Sequence, residues 1–369
     1  MKSFLYTIIY LIIFSTLTLG VELRYNVIYS GLNYPTAIQV LPDNSILVSE
    51  KKGRLKLIST ENNYIVYDIK KDIYTKGEGG IFDVKLDPNF KDNKTIYFSY
   101  SGYTKPNSKR FFGLMLAKAQ LYKTVPGIAS SKYRIKNIET LYSFEQRLRR
   151  KHSFGGSIFA TDDHVFLAVG DRGYRKQSQS TKNTLGTLIR INKDGSIPRS
   201  NPFYFSRDKN KSIYSYGHRK VTGIAYDPFY DIFWAIEKYP NMTNELKIID
   251  AGENYGWPIL YSEKSLNDYD KSPFKKPYHI WINSMNPAGM LVYTKDRFYF
   301  MKGDLLIGSK ENKHIRWIVI KNKKIIKEKI LLKQLNKPIS NLTQGPSGFI
   351  YAITSESRNA KVIKINLNI

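Results

Sequence analysis

Residues 157–170 read SIFATDDHVFLAVG, and this segment is the clearest indication of the fold. Two short apolar runs, SIFA and VFLAV, flank a polar turn that contains Asp162 and Asp163. Aspartate favours turns because its carboxylate accepts hydrogen bonds from backbone N–H groups close behind it in the chain. Short apolar runs bounded by turn residues are typical of β-strands. The stretch therefore predicts a β-hairpin.

The same unit, a strand followed by a turn and a second strand, occurs six times along the chain. The copies begin at Ala37, Asp83, Ser157, Gly223, Gly289 and Asn341. Their turns are marked by Asp43, Asp87, Asp162, Asp227, Lys295 and Ser347, which are 44 to 75 residues apart. This spacing leaves room for four strands per unit and indicates an all-β fold, a six-bladed β-propeller. A β-sandwich, or two unrelated β domains, is the alternative.

The composition is that of a globular protein. The 369 residues are 42% hydrophobic and 14% aromatic, which is ample for a buried core. Length alone permits one domain or two. Because no Pro/Ser-rich linker interrupts the chain after residue 20, we expect one domain over residues 21–369.

The N-terminal segment has the pattern of a targeting sequence. Residues 1–20, MKSFLYTIIYLIIFSTLTLG, place Lys2 ahead of an apolar run that ends in small and polar residues. This order is typical of a secretory signal peptide and predicts a secreted or periplasmic protein. An uncleaved membrane anchor is the alternative, although the run is short for a span of about 20 residues.

The charge is strongly positive and cysteine is absent. The formal net charge of +27 at pH 7 would by itself suggest a nucleic-acid partner, but export argues against one. We expect no nucleic-acid binding and at most weak attraction to anionic surfaces such as lipid headgroups or acidic glycans. With no Cys in the sequence, disulfides and thiolate metal sites are excluded.

Four blocks follow one another between residues 152 and 258: HSFGGSIF, GDRG, GSIPRSNPF with SYGHRKVTG, and ENYGWP. Three further blocks of the same set lie outside this region, at residues 31–58, 77–90 and 345–357. In this order they resemble the quinoprotein sugar dehydrogenases, the glucose/sorbosone and aldose dehydrogenases that use pyrroloquinoline quinone. The resemblance implies a six-bladed propeller that oxidises an aldose, a small-molecule sugar, at its anomeric carbon to a lactone.

The resemblance also implies two catalytic residues. His152 stands where the family has the general base that takes the proton of the sugar hydroxyl, and imidazole suits that task near neutral pH. Arg219, in SYGHRKVTG, stands where an arginine faces the quinone oxygens and stabilises developing negative charge.

Four further positions correspond to cofactor-binding residues of the family. They are Glu78, where Gln is usual, Gln179, Lys220, where Asn is usual, and Lys310. An ionised glutamate only accepts hydrogen bonds, whereas a glutamine can also donate them. Its negative charge is also expected to repel a tri-anionic quinone. The paired arginines that grip the quinone carboxylates in the family are replaced by Pro338 and Ser340.

The family also holds a Ca²⁺ ion through backbone carbonyls of a Gly-Pro pair. The corresponding stretch reads EKYPNMTNELK, at residues 237–247, so the carbonyls of Tyr239 and Pro240 are the candidate ligands. Carbonyl ligands do not depend on the side chain. Resemblance therefore implies both pyrroloquinoline quinone and Ca²⁺ as cofactors.

Two functions are open at this level. The first is an active quinone-dependent aldose dehydrogenase, and the second is a propeller of the same family that acts as a binding module without the cofactor. Convergence of Lys220, Lys310 and Lys337 on the axis would favour the first, whereas Glu78 and Tyr239 filling the axis would favour the second. A lactonase-like or strictosidine-synthase-like propeller would need acidic and amide metal ligands on the axis, which the motifs do not favour.

Overall fold

The computed structural model describes residues 23–59, 63–69, 73–104, 111–124, 133–144, 148–240, 243–260, 270–282 and 285–367. Residues 1–20, the expected signal peptide, lie outside this part of the chain. In the described residues, no helix has the length and apolar character needed to cross a membrane.

The described strands form six four-stranded antiparallel sheets, which are the blades of a propeller. Blade 1 contains β2 (Pro35–Val40), β3 (Ile46–Glu50), β4 (Arg54–Ile58) and β5 (Asn63–Asp68). Blade 2 contains β6 (Ile81–Leu86), β7 (Thr95–Tyr103), β8 (Phe112–Lys123) and β9 (Tyr133–Ser143). Blade 3 contains β10 (Gly155–Ala160), β11 (His164–Val169), β12 (Thr187–Asn192) and β13 (Ile213–Tyr216).

The second half of the chain continues the pattern. Blade 4 contains β14 (Val221–Asp227), β15 (Ile232–Lys238), β16 (Asn244–Ile248) and β17 (His279–Trp281). Blade 5 contains β18 (Pro287–Val292), β19 (Leu305–Ser309), β20 (His314–Lys321) and β21 (Lys324–Leu331). Blade 6 contains β22 (Ile339–Gln344), β23 (Ile350–Thr354), β24 (Ala360–Leu367) and the N-terminal strand β1 (Leu23–Leu32).

Helices are short in the part of the chain that is described. One α-helix, α1 (Phe90–Asn93), lies in the turn between β6 and β7. Three 3₁₀ turns span Arg175–Gln179, Tyr299–Met301 and Lys333–Leu335.

The first strands of the six sheets form a closed ring. Each of β2, β6, β10, β14, β18 and β22 contacts the next one, and β22 contacts β2. The ring is also closed by backbone hydrogen bonds far from this axis, because β1 pairs with β24 from Leu23 opposite Leu367 to Leu32 opposite Ala360. The prediction of a six-bladed propeller is confirmed, and the six sequence repeats are the first two strands of each blade.

Aspartates define several of the inner hairpins, as the sequence predicts. Asp43 accepts a hydrogen bond from the N–H of Ser45 (3.0 Å) and Asp87 from that of Asn89 (2.9 Å). In the fourth repeat, Asp227 accepts the N–H of Phe229 at 2.9 Å. These side chains satisfy backbone donors at the turn and so favour reversal of the chain.

The hydrophobic core is divided among the six contacts between neighbouring blades. Each contact has its own cluster of buried side chains drawn from two blades. Between blades 4 and 5, for example, Trp234 and Ile236 pack with Leu305 and Ile318, all of them buried. Because both faces of each blade are covered, the inner strands carry apolar residues on both sides. The axis is left for polar side chains.

Candidate functional site

A cavity of about 260 Å³ lies on the axis of the propeller, lined by residues from all six blades. Its charged lining residues are Lys51, Lys85, Lys220, Lys310, Glu78 and Asp83. Burial raises the pKa of Asp83. Lysines outnumber carboxylates, so the cavity attracts anions.

Glu78 and Lys220 form an ion pair inside this cavity. Glu78 precedes β6 in blade 2, Lys220 precedes β14 in blade 4, and Lys220 Nζ lies 2.7 Å from Glu78 Oε2. The same carboxylate oxygen accepts the backbone N–H of Ser153 at 2.9 Å. Burial raises the pKa of Glu78, but Lys220, Ser153 and His152 together lower it to about 2. Glu78 is therefore a paired carboxylate, and its repulsion of an anionic ligand is reduced.

Lys310 brings a second ammonium group to the cavity from blade 5, directly after β19. Burial and the positive charges of Lys220 and Lys238 lower the pKa of Lys310 to about 8. Its backbone N–H donates to the carbonyl of Asn286 (3.1 Å), whose side chain accepts a hydrogen bond from Lys238 Nζ (2.9 Å). Lys220 and Lys310 thus converge on the axis.

His152 is exposed and is not itself among the residues that line the cavity. Its neighbour Ser153 bonds to Glu78, and Phe154 and Gly155 line the cavity wall. The ring rests on Gly173 of the GDRG block, where a Cβ atom would lie 2.4 Å from His152 Cε1. A side chain at position 173 would therefore collide with the imidazole, and glycine leaves room for the ring.

Arg219 and Gln179 lie outside the cavity lining in the described residues. The Arg219 guanidinium donates to the carbonyl of Lys238 (2.8 Å) and lies 5.8 Å from the centre of the Trp257 ring. Gln179 donates to the Trp257 carbonyl (2.7 Å) and exchanges side-chain hydrogen bonds with Asn254 at 2.8 and 3.0 Å. Gln179 thus fastens the ENYGWP block to blade 3. Ligand contact by these two residues stays a prediction.

A fully buried charged cluster supports the loop that carries Arg219 and Lys220. The Glu237 carboxylate accepts the backbone N–H groups of both residues, at 2.9 Å for Lys220. Glu237 is also bonded to Lys247 Nζ (2.6 Å) and lies 3.3 Å from the His218 ring. Lys247 and His218 lower the pKa of Glu237 strongly despite its burial. Glu237 therefore fixes the backbone that presents Lys220 to the cavity.

Sequence reasoning missed Glu237, Lys247 and the cavity residue Lys51. The signal for Glu237 was available, because a glutamate ends the apolar run IFWAIE of a buried strand. A charge in such a place needs a partner. The partner Lys247 belongs to the next strand, opposite Ala235.

The turn predicted to hold a metal is packed in a different way. Tyr239 is fully buried, its ring meets Trp257 edge to face at 5.4 Å, and its hydroxyl accepts a hydrogen bond from Lys247 Nζ at 2.7 Å. Pro240 is exposed. Among the described residues, no group of three or more His, Cys, Asp or Glu side chains could hold a metal ion. Lys247 already pairs with the buried carboxylates of Glu237 and Glu245 beside this turn, so these side chains do not fit Ca²⁺. Coordination by the backbone carbonyls of Tyr239 and Pro240 stays a prediction.

The positions of the family's paired arginines also lack cations. Ser340 is buried against the cavity and donates to the carbonyl of Pro35 at 3.0 Å, and the carbonyl of Pro338 accepts the N–H of Ser355 at 2.8 Å. Lys337 lies 3.4 Å from Glu356, outside the cavity lining. Of the three lysines expected to compensate, two reach the axis and Lys337 does not.

Comparison with known proteins agrees with this geometry. The sequence model for "Glucose / Sorbosone dehydrogenase" matches residues 32–364, and the chain belongs to that family. It is 26% identical to the aldose sugar dehydrogenase YliI of Escherichia coli (strain K12), over 92% of this chain and 92% of that protein. It is also 26% identical to quinoprotein glucose dehydrogenase B of Acinetobacter calcoaceticus, over 72% of this chain and 59% of that protein.

A solved structure of a glucose dehydrogenase superposes with a TM-score of 0.82 at 26% identity. The match covers 94% of this chain and all of the other. The chain is therefore similar to sugar dehydrogenases both in sequence and along the whole propeller.

Proposed function

We propose that this protein is a quinone-dependent sugar dehydrogenase that oxidises an aldose at its anomeric carbon to a lactone. The observation that carries the proposal is the axial cavity, where lysines from several blades surround space for an anionic ligand beside an exposed histidine. A non-catalytic binding module would need no imidazole beside the cavity. The lysine convergence also supports the catalytic function.

The cavity fits an anionic quinone such as pyrroloquinoline quinone. Lys220 and Lys310 are placed to hold its carboxylates, and Lys51 lies on the same wall. When bound, such a quinone supplies a two-electron acceptor for the hydride at sugar C1. Because Pro338 and Ser340 replace bidentate arginine contacts, and ammonium groups act as point charges, we expect weaker quinone binding than the paired arginines would give.

His152 is the residue proposed to move the proton. As the C1–H bond breaks and its electron pair leaves carbon, the C1 hydroxyl becomes the lactone carbonyl and its proton passes to the imidazole. The ionised Glu78, whose pKa His152 helps to lower, stabilises the imidazolium that forms. The backbone of Ser153 links the two residues and keeps them together.

Export to the periplasm or outside of the cell is part of the proposal, together with weak attraction to anionic surfaces. The N-terminal pattern of residues 1–20 supports export. N-terminal sequencing of protein recovered from the periplasm or medium tests it, and a chain that retains Met1 in the membrane fraction would contradict it.

The function is tested by adding pyrroloquinoline quinone to purified protein and following absorbance and dye reduction with a panel of aldoses. We expect quinone-dependent turnover, with the lactone identified by mass spectrometry. His152→Ala should abolish turnover and leave quinone binding nearly unchanged. The matched control is His164→Ala, at the far end of the hairpin formed by β10 and β11, which should keep turnover. Turnover that survives His152→Ala would remove His152 as the base, and absence of any quinone binding would overturn the proposal.

A further inference from the structure

Lys247 is a lysine with no exposure to solvent, held in the middle of blade 4. Its Nζ lies 2.6 Å from Glu237 Oε2, 3.1 Å from Glu245 Oε2 and 2.7 Å from the hydroxyl of Tyr239. Both carboxylates are also fully buried. Three oxygen atoms therefore surround one ammonium group, which matches its three N–H donors.

The charges of this cluster require a resident cation. Burial and the neighbouring Glu237 raise the pKa of Glu245, but the ionised Glu237 lacks solvation in a dry interior, so at least one positive charge must lie beside it. The neighbouring His218 does not supply it, because burial lowers the pKa of His218. Its ring bonds to Ser215 Oγ (2.9 Å) as well as to Glu237 Oε2 (3.3 Å), and it stacks on Tyr255. Lys247, whose ammonium the two carboxylates stabilise, provides the positive charge.

The position of the ammonium group leaves no place for a divalent ion at these two carboxylates. Calcium takes six to eight oxygen ligands, and the two carboxylates next to the Tyr239–Pro240 turn are within 3.1 Å of Lys247 Nζ. A Ca²⁺ ion sharing those oxygens would face a like charge at contact distance. The side chain of Tyr239 also bonds to the ammonium group.

We propose that the ammonium of Lys247 is the built-in cation of this turn, and that it holds the loop of Arg219 and Lys220 without a divalent metal. Lys247 acts through Glu237, which accepts the backbone N–H groups of that loop, and so it is a positioning residue. The inference concerns the turn itself and depends on neither the sugar nor the quinone.

Metal binding is tested first, on the full-length protein without quinone. After dialysis against EDTA, Ca²⁺ is titrated in by calorimetry and the thermal midpoint is measured with and without excess Ca²⁺. We expect no calcium-binding heat that depends on Glu245, and a shift in the thermal midpoint below about 1 °C. One equivalent of Ca²⁺ that binds the wild-type protein and is lost in Glu245→Gln, but kept in the half-buried control Glu253→Gln, would overturn the proposal.

The role of the charge is tested with Lys247→Met, which keeps the length of the side chain. Leaving two buried carboxylates without their cation should lower the thermal midpoint by about 5–10 °C. Lys302→Met is the matched control, because it breaks an exposed pair with Asp296 and should shift the midpoint by less than about 1 °C. A midpoint for Lys247→Met equal to that of wild type would contradict the proposal. If Lys247→Met gives no folded protein, the calcium titration of the wild-type protein decides alone.

Discussion

At the scale of single residues, the site depends on pairs that the sequence does not reveal. Glu78 reads as a repulsive replacement for a glutamine, yet it meets Lys220, 142 residues away, at 2.7 Å. A sequence pattern supplies residue types and local spacing but no distance between separate repeats. The positions of Lys220 and Lys310 on the axis were predictable from the family resemblance. Their electrostatic effect on one another was not.

Lys310 gives ligand binding a pH dependence with a definite sign. Its pKa of about 8 means that the ammonium form dominates at pH 7 and the neutral form at pH 9.5. A cationic Lys310 attracts an anionic quinone, so affinity should be high below pH 8 and be lost as the pH rises through that value. We expect the dissociation constant to increase roughly tenfold between pH 7 and pH 9.5. Quinone titration followed by absorbance at both pH values measures it.

The control for this dependence is Lys310→Met. The variant should bind the quinone weakly at pH 7 and show little further loss at pH 9.5. If wild type and Lys310→Met lose affinity with the same pH slope, another group is responsible.

At the scale of elements, the inner hairpins were predictable and the outer strands were not. Each hairpin has apolar strands and a local turn signal, and both are visible within about 20 residues of sequence. Strands such as β9 and β21 are largely exposed, so burial leaves little pattern on them. They are placed by pairing with β8 and β20. The turn blocks that support the site were found as motifs, but their packing was not.

The GDRG turn shows how such a block positions a side chain, and it yields a prediction. In Gly173→Ala the new Cβ would lie 2.4 Å from His152 Cε1, so the ring must move away from its place beside the cavity. A displacement of about 1 Å can cost on the order of a hundredfold in rate. We expect kcat with an aldose to fall at least tenfold, while quinone affinity changes little. Dye-reduction kinetics measure the former and absorbance titration the latter.

Gly252→Ala separates this effect from backbone strain. Gly252 has φ +81° against +75° for Gly173, but the nearest atom to its new Cβ is Pro202 Cβ at 3.4 Å. Both substitutions should lower the thermal midpoint by a similar small amount, because an alanine in the left-handed region costs about 1–2 kcal/mol. Equal turnover in the two variants would show that His152 does not need the space beside Gly173.

At the scale of the whole molecule, the propeller is a ring of blades, and strands from both ends of the chain meet in blade 6. Six interfaces between blades carry the core, and each depends on both neighbours staying in place. The number of blades could be predicted by counting repeats. The closing strand β1 could not, because its partner β24 lies at the other end of the chain and no local pattern records the pairing.

Closure by β1 is expected to contribute strongly to stability, and a shortened chain tests this. A chain that begins at residue 33 lacks β1, leaves the edge of β24 unpaired and removes Leu32, which is fully buried between blades 6 and 1. An exposed strand edge also invites pairing with other molecules. We expect the thermal midpoint to fall by about 10 °C or more, with aggregates in light scattering. A chain that begins at residue 21 is the matched control and should stay monodisperse with an unchanged midpoint. Equal midpoints for the two chains would mean that the inner ring of first strands holds the propeller closed without its terminal strand.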